Sequence, residues 1–482
     1  MVKVLSVASE VYPLIKTGGL ADVAGALPGA LAAQGVEMTT LVPGYPAVMH
    51  ALKARGKARN LGRMTVLGEP VHLLEAKLDG APLIVLDAPQ LFERDGGPYS
   101  DQRGLDFPDN WKRFGVLSRT AADLVLDPKH DFTVLHAHDW QASMAAAYLA
   151  YGGGRAAGKR SVVTIHNLAF QGRFDAGIFA SLDLPAHAYS LDGVEYYGGV
   201  GFLKGGLQLA DAITTVSPTY ASEVLDPHFG MGMEGLLAAR SADLFGIVNG
   251  IDPKVWSPEN DPHLAKPYTA KTLKNRKANK RKVEQEFGLA EDDGPLLCVV
   301  SRLTWQKGMD VLVEQLDSAV ALGARLALLG TGDPGLEAAF LDAARRHPGR
   351  IGVRIGYDEA LSHLVQGGSD AILIPSRFEP CGLTQLYGLA YGCTPVVART
   401  GGLADTVIDA NEAALGSGAA TGFVMDRVDG ATLHRTLRRV VELHARPNEW
   451  ARLQKEGMKA DFSWGRSAGL YADLYRRLAK MA

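Results

Sequence analysis

VKVLSVASEVYPLIKTGGLADVAG, Val2 to Gly25, sets an apolar run against a polar loop and then an alanine-rich stretch. Val2–Ala8 is nearly all apolar and is bounded by turn-forming residues, as expected of a parallel strand buried on both faces. Ala21–Gln34 is rich in helix formers and reads as the helix that follows. Between them Lys16 precedes Thr17, Gly18 and Gly19. This order fits neither familiar nucleotide loop: a Walker A loop places lysine after its last glycine, and the dinucleotide fingerprint needs G-x-G-x-x-G. Strand, glycine loop and helix are nonetheless the opening of a Rossmann-like unit. Its glycines let a ligand approach the backbone without meeting a Cβ.

The same alternation runs through the chain. Strands are expected at Val2–Ala8, Met38–Val42, Leu83–Leu86, Val134–His136, Ser161–Thr164 and Ala212–Val216, with a helix at Gln141–Ala150. A proline-punctuated stretch, Ser257–Tyr268, interrupts the pattern, and the basic run Lys271–Gly288 reads as a solvated helix beside a domain boundary. Strands resume at Pro295–Leu303, Ala324–Asp333, Arg350–Tyr357, Asp370–Ser376 and Thr394–Thr400. The prediction is an α/β protein of two Rossmann-like domains facing a central cleft, residues 1–246 and 247–455. A C-terminal helical segment, 456–482, is placed to pack back on the first domain. KTGGLADV (Lys16–Val23) recurs as RTGGLADTV (Arg399–Val407), an internal echo between the halves.

Composition narrows the function. With 482 residues the chain has ample length for two cores. Fifty Lys and Arg against 53 Asp and Glu give a net charge of −3, which disfavours a nucleic-acid partner. An anionic ligand would be met by a few placed cations instead. Cys298, Cys381 and Cys393 have no metal-ligand spacing and suggest free thiols in a reducing compartment. No secretory leader or membrane-length apolar run is read, so a cytoplasmic protein without a membrane partner is expected. No H-E-x-x-H, Cys/His cluster or Asp-x-Asp appears, and no metal or other cofactor is expected.

Open parallel sheets bind ligands at the carboxyl ends of their strands. The polar residues that fall there are therefore the candidates. Arg302 and Lys307 share one loop ahead of a helix expected at Met309–Leu322, two cations suited to a diphosphate at a helix N-terminus. Glu379 and Gly382 precede a helix starting near Leu383, where the N–H groups of Gly382, Leu383 and Thr384 would face an anion. Cys381 in this loop reads as a small packed residue rather than a nucleophile. Asp139 and His166 lie at strand ends of the first half and suit hydroxyl recognition, acid–base work or a metal. His136 and His138 alternate with apolar residues, so one of the two is expected to pack inward. Surface charge and helix capping remain the bland alternatives for each motif alone.

KTGGLADV, HAHDWQ (His136–Gln141), TIHN (Thr164–Asn167), VNGID (Val248–Asp252), SRLTWQKG (Ser301–Gly308), SRFEPCGLTQLYGL (Ser376–Leu389) and RTGGLADTV resemble, in this order, the bacterial glycogen and starch synthases. The resemblance implies a retaining glycosyltransferase of the GT-B fold that transfers glucose from ADP-glucose to the non-reducing end of an α-1,4-glucan without a metal. It also implies that Lys16, Gly18, Gly19 and Asp22 contact the donor and that Arg302 and Lys307 hold its diphosphate. Glu379 would lie near the glucose, His166 and Asp139 at its hydroxyls, and Tyr357 at the adenine. Asn249, Cys381, Gly382, Leu383 and Thr384 would complete the substrate contacts. One departure is visible: the second carboxylate of an E-x7-E motif counted from Glu379 falls at Tyr387. A UDP-glucose-dependent relative, a non-catalytic sugar-nucleotide binder and a phosphorylase are the competing readings.

Overall fold

A computed structural model of the chain describes residues 1–56 and 58–481. It divides into two compact units, Met1–Gly250 with Trp464–Ala482, and Ile251–Ser463.

In the first unit the strands are β1 (Val2–Val7), β2 (Val36–Pro43), β3 (Arg59–Val66), β4 (Glu69–Leu78), β5 (Ala81–Asp87), β6 (Val134–His138), β7 (Arg160–Ile165), β8 (Arg173–Phe174), β9 (Glu195–Tyr196), β10 (Gly199–Gly201), β11 (Ala212–Thr215) and β12 (Leu244–Gly246). Nine of them form one sheet in the order β12-β11-β7-β6-β1-β2-β5-β4-β3. It is parallel except for β3 and β4, which pair antiparallel at one edge. β8, β10 and β9 form a small separate sheet. In the second unit β13 (Leu296–Val300), β14 (Arg325–Gly330), β15 (Ile351–Ile355), β16 (Ala371–Ile374), β17 (Thr394–Ala398) and β18 (Phe423–Met425) form an all-parallel sheet, ordered β15-β14-β13-β16-β17-β18.

Alternation across each sheet explains the apolar runs. In β1, Leu5 and Val7 enter one core cluster while Val4 enters the cluster on the opposite face. In β13, Leu297 and Val299 face one cluster, and Leu296 and Cys298 face the other. Helices cover both faces, so both sets of side chains leave water.

The unit boundaries fall a few residues later than the expected 246/247 and 455/456. Beyond β12, Ile247 still packs on the first core, and Ser467 Oγ donates to Val248 O at 2.5 Å. The helix Pro447–Lys459 buries Trp450 and Leu453 in the second core. Only the helix Trp464–Lys480 belongs to the first unit, laying Ala468, Tyr471, Tyr475 and Leu478 against Val4, Leu27, Leu31 and Val134.

Two further expectations are corrected. The basic helix, Arg276–Phe287, is not a solvated one: Arg276, Lys280 and Glu284 are each at most 7% exposed. Arg276 donates to the carbonyls of Tyr391 and Ser369, Lys280 pairs with Asp370 at 2.7 Å, and Glu284 accepts from the buried Arg325. Its buried face sets these bonded charges beside Asn279, Val283 and Phe287, and a hydropathy pattern does not register the charged part. The expected helix Met309–Leu322 is two, Met309–Glu314 and Leu316–Ala321, which break at Gln315.

Tyr475 is fully buried, and its hydroxyl bonds to His136 Nδ1 at 2.7 Å. Tyr475→Phe keeps the packing but leaves that buried nitrogen without this partner. We expect the urea unfolding transition of the first unit to lose about 1–3 kcal/mol. An unchanged midpoint would show that this contact does not hold the returning helix.

Candidate active site

Beyond β1 the chain turns through Glu10, only 2% exposed. The Glu10 carboxylate accepts from Thr17 N, Thr17 Oγ1 (2.6 Å), Gly18 N (3.4 Å) and the Tyr99 hydroxyl. Two backbone N–H groups of the glycine loop, those of Thr17 and Gly18, are thus spent on an internal carboxylate. Lys16 Nζ pairs with Asp22 Oδ1 at 2.8 Å and lies over the Tyr12 ring. A Cβ at Gly18 would meet nothing within 4 Å, so the protein's own packing does not demand glycine there. Open space over a glycine before the helix Gly19–Ala32 is room for a ligand. Tyr99 sits on a loop anchored by the buried Arg113, which donates to Pro98 O and to Asn110 Oδ1. Glu10 and Tyr99 were missed because no motif contains them. The signal was an acidic residue closing an otherwise apolar strand.

At the carboxyl ends of β6 and β7, Asp139 Oδ1 accepts from His166 N at 2.7 Å and Asn167 N at 3.4 Å, which draws the two candidate residues together. Asp139 has φ +54°, a left-handed conformation that is costly for a residue with a Cβ and is concentrated at functional sites. His138 Nδ1 meets His166 Nε2 at 3.0 Å, and His138 Nε2 meets Ser6 Oγ at 3.1 Å. Both His136 and His138 are fully buried, where only one was expected inside. Two residues apart on a strand covered on both faces, they share one side, with rings 4.2 Å apart. Burial lowers the pKa of all three imidazoles, His138 to about 3, so the array is neutral at ordinary pH. Neutral rings and a carboxylate are a hydroxyl-binding set. Asn249 is 5% exposed, and its Oδ1 has no hydrogen-bond partner among the described residues.

In the second unit Lys307 Nζ meets Glu379 Oε2 at 2.5 Å, with the two side chains 15% and 10% exposed. Ser376 Oγ donates to the same oxygen at 2.9 Å. Arg302, on the same loop as Lys307, is exposed, and its guanidinium makes a long contact to Gln306 Oε1 at 3.5 Å. Glycines hold these loops close. Gly308, at φ +68°, passes so near Pro375 O that a Cβ would lie 2.0 Å from it. Cβ atoms at Gly401 and Gly402 would fall 1.9 Å from Glu379 O and 2.1 Å from Cys381 O. The second TGG motif is therefore a brace behind the Glu379 loop, with Gly402 N donating to the carbonyls of Glu379 and Pro380. Cys381 is buried, as a small packed residue should be. Gly382 takes φ +71°, and Leu383 precedes the helix Thr384–Tyr391, which no side chain caps. Tyr357, beyond β15, is 72% exposed, and its hydroxyl donates to Glu359. Tyr387, where the E-x7-E pattern wants a carboxylate, stacks on Trp256 with ring centroids 3.6 Å apart. Trp256 in turn stacks on His363 at 3.9 Å. Among the described residues, no three His, Cys, Asp or Glu side chains are grouped to hold a metal ion. Likewise, no helix is long and apolar enough to cross a membrane.

Burial raises the Asp139 pKa to about 7 from an ordinary 3.8. A carboxyl raised in the folded state favours folding most below its unfolded pKa, and that contribution is lost as pH climbs through about 7. The thermal midpoint of the parent should therefore fall relative to Asp139→Asn between pH 4 and pH 8. Parallel curves would show that Asp139 titrates normally.

Comparison with known proteins identifies the family. Residues 3–239 match the family model of the starch synthase catalytic domain, and residues 280–457 that of glycosyl transferases group 1. Glycogen synthase of Mesorhizobium japonicum is 59% identical over 478 residues, covering 99% of this chain and 98% of its own. That of Novosphingobium aromaticivorans is 59% identical over 482 residues, covering 99% of each. The catalytic domain of starch synthase IV from Arabidopsis thaliana, solved with ADP and acarbose, superposes with a TM-score of 0.89 at 30% identity over 99% of both chains. A sucrose-phosphate synthase from Thermosynechococcus elongatus, at 16% identity and a TM-score of 0.60 over the full length of both chains, shares the fold. With relatives this similar over nearly its whole length, and two doubly wound α/β units, the chain belongs to the glycogen synthase family of retaining GT-B glycosyltransferases.

Proposed function

We propose that this chain transfers glucose from ADP-glucose to the non-reducing end of an α-1,4-glucan, with retention of configuration. The observation that carries the reading is the Lys307–Glu379 pair, set between two loops at the carboxyl edge of the second sheet. Breaking a glycosyl–phosphate bond builds negative charge on the departing diphosphate and positive charge at the anomeric carbon. Arg302 and Lys307 are the cations for the first charge, helped by the uncapped helix N-terminus at Thr384. Glu379 faces the sugar side, where a carboxylate favours developing positive charge. With fixed cations on the diphosphate, turnover needs no metal ion.

The first unit supplies recognition in this reading. Lys16, Gly18 and Gly19 contact the donor, with Lys16 exchanging its Asp22 partner for phosphate. His166 and Asp139 bind glucose hydroxyls, the neutral rings acting as hydrogen-bond partners and not as charges. Asn249 offers its unpartnered oxygen to a donor hydroxyl. Tyr357 presents an exposed ring for the adenine. Cys381, Gly382 and Leu383 bring the helix start close enough for Thr384 N–H to reach phosphate.

Incorporation of labelled glucose into a glycogen primer tests this directly. From ADP-glucose it should run at least roughly tenfold faster than from UDP-glucose, and a chelator should leave it unchanged. Equal or faster use of UDP-glucose would overturn the donor assignment, chelator sensitivity would overturn the metal-free one, and no incorporation from either donor would overturn the glucan reading.

A further inference from the structure

Trp305 is 62% exposed, and exposure alone would mean little. Its bracing is what sets it apart. The Arg377 guanidinium lies over one face of the indole, 4.4 Å from the ring centroid. That guanidinium donates to Trp305 O at 2.6 Å and binds Asp310 through both nitrogens at 2.7 Å. Arg377 N also donates to Gln306 O at 2.9 Å. The ring is thus fixed on one side by a clamped cation while most of its surface stays open to water. A large apolar ring held still in solvent loses little further entropy when something stacks on it.

Its place in the loops points to what stacks there. Trp305 lies two residues before Lys307, and Arg377 lies two residues before Glu379. The platform is therefore tied through both loops to the two members of the ion pair. The turn carrying it leans toward β16 and β18, since Gly308 abuts Pro375 O and Val428. Tyr357 follows β15, at the opposite end of the sheet order. Trp305 shares the loops after β13 and β16 with the Lys307–Glu379 pair, whereas Tyr357 lies beyond β15, two strands from β13. With a nucleotide base at Tyr357, the ring that accompanies the reacting pair is placed for a sugar and not for the base.

We propose that Trp305 is an acceptor-binding platform, on which a pyranose ring of the glucan packs its C–H face. This rests on the glucan reading given above. The loop's backbone is held by Arg377, through Trp305 O and Gln306 O, whichever side chain sits at 305. Trp305 would act in binding the chain to be extended, not in the bond-breaking step.

The test compares the parent with W305A and W305F, varying glycogen at saturating ADP-glucose and then the reverse, with retardation of each protein in glycogen-containing native gels. W305A should raise the KM for glycogen roughly tenfold and lose most of its retardation, as expected on removing one aromatic anchor. Its KM for ADP-glucose should stay within about twofold of the parent's, and W305F should recover most of the glycogen affinity. An unchanged glycogen KM and retardation in W305A would overturn the platform while leaving the transferase reading intact. A rise confined to the ADP-glucose KM would place the ring against the nucleotide and also overturn it. A parent that neither extends nor binds glycogen would overturn both readings.

Discussion

Lys307 Nζ and Glu379 Oε2 meet at 2.5 Å with both side chains largely withdrawn from water. Two opposite charges in such a place cost desolvation that the contact must offset, and removing either leaves the other stranded. The pair therefore constrains its surroundings: the two loops must be brought together, and each end must be kept in register with the other. Its location also resolves an electrostatic oddity, a carboxylate beside the uncapped start of the helix Thr384–Tyr391. In the proposed reaction Glu379 keeps Lys307 in place until a diphosphate arrives to share it, and then faces a sugar carbon that turns positive.

Much of the second unit can be understood as support for that contact. Gly308, Gly401 and Gly402 are sites where one loop's backbone presses on another's, closer than any Cβ permits. Ser376 bonds the acid, and Arg377 ties the Trp305 turn to Asp310. The first unit uses the same device with different parts: a buried carboxylate, Glu10, gathers the Lys-Thr-Gly-Gly loop, and Asp139 gathers the His166 strand end. In both cases an acid organises backbone donors, and over Gly18 the space is left open. The repeated TGG motif is thus not one function used twice. At Lys16–Gly19 it leaves space, and at Arg399–Gly402 it fills space.

What could be read beforehand follows the same physics. Parallel strands buried on both faces write themselves as apolar runs, so β1, β13, β14 and β17 were legible to within a few residues. The hairpins β3–β4 and β4–β5 were not, because Arg59–Val66 is mostly exposed and carries no apolar run. Their turns, with positive φ at Leu67–Gly68 and Asp79–Gly80, did leave a trace in the Asp-Gly pair. The short strands β12 and β18 are three residues each, too brief to show a period. Charge read in isolation misled at Arg276–Phe287, where bonded charges share the buried face with Val283 and Phe287. The Lys307 and Glu379 candidates came from their place after strands. Their contact could not be read, because 72 residues separate them.

A double-mutant cycle on the pair tests the central claim most directly, through kcat measured for Lys307→Met, Glu379→Gln and the two combined. Acting as one unit, each single change should lower kcat by roughly two to three orders of magnitude, and the combination should lose little more than the worse single change. Losses that simply multiply would mean that the two charges act independently, and the account built on their contact would be wrong.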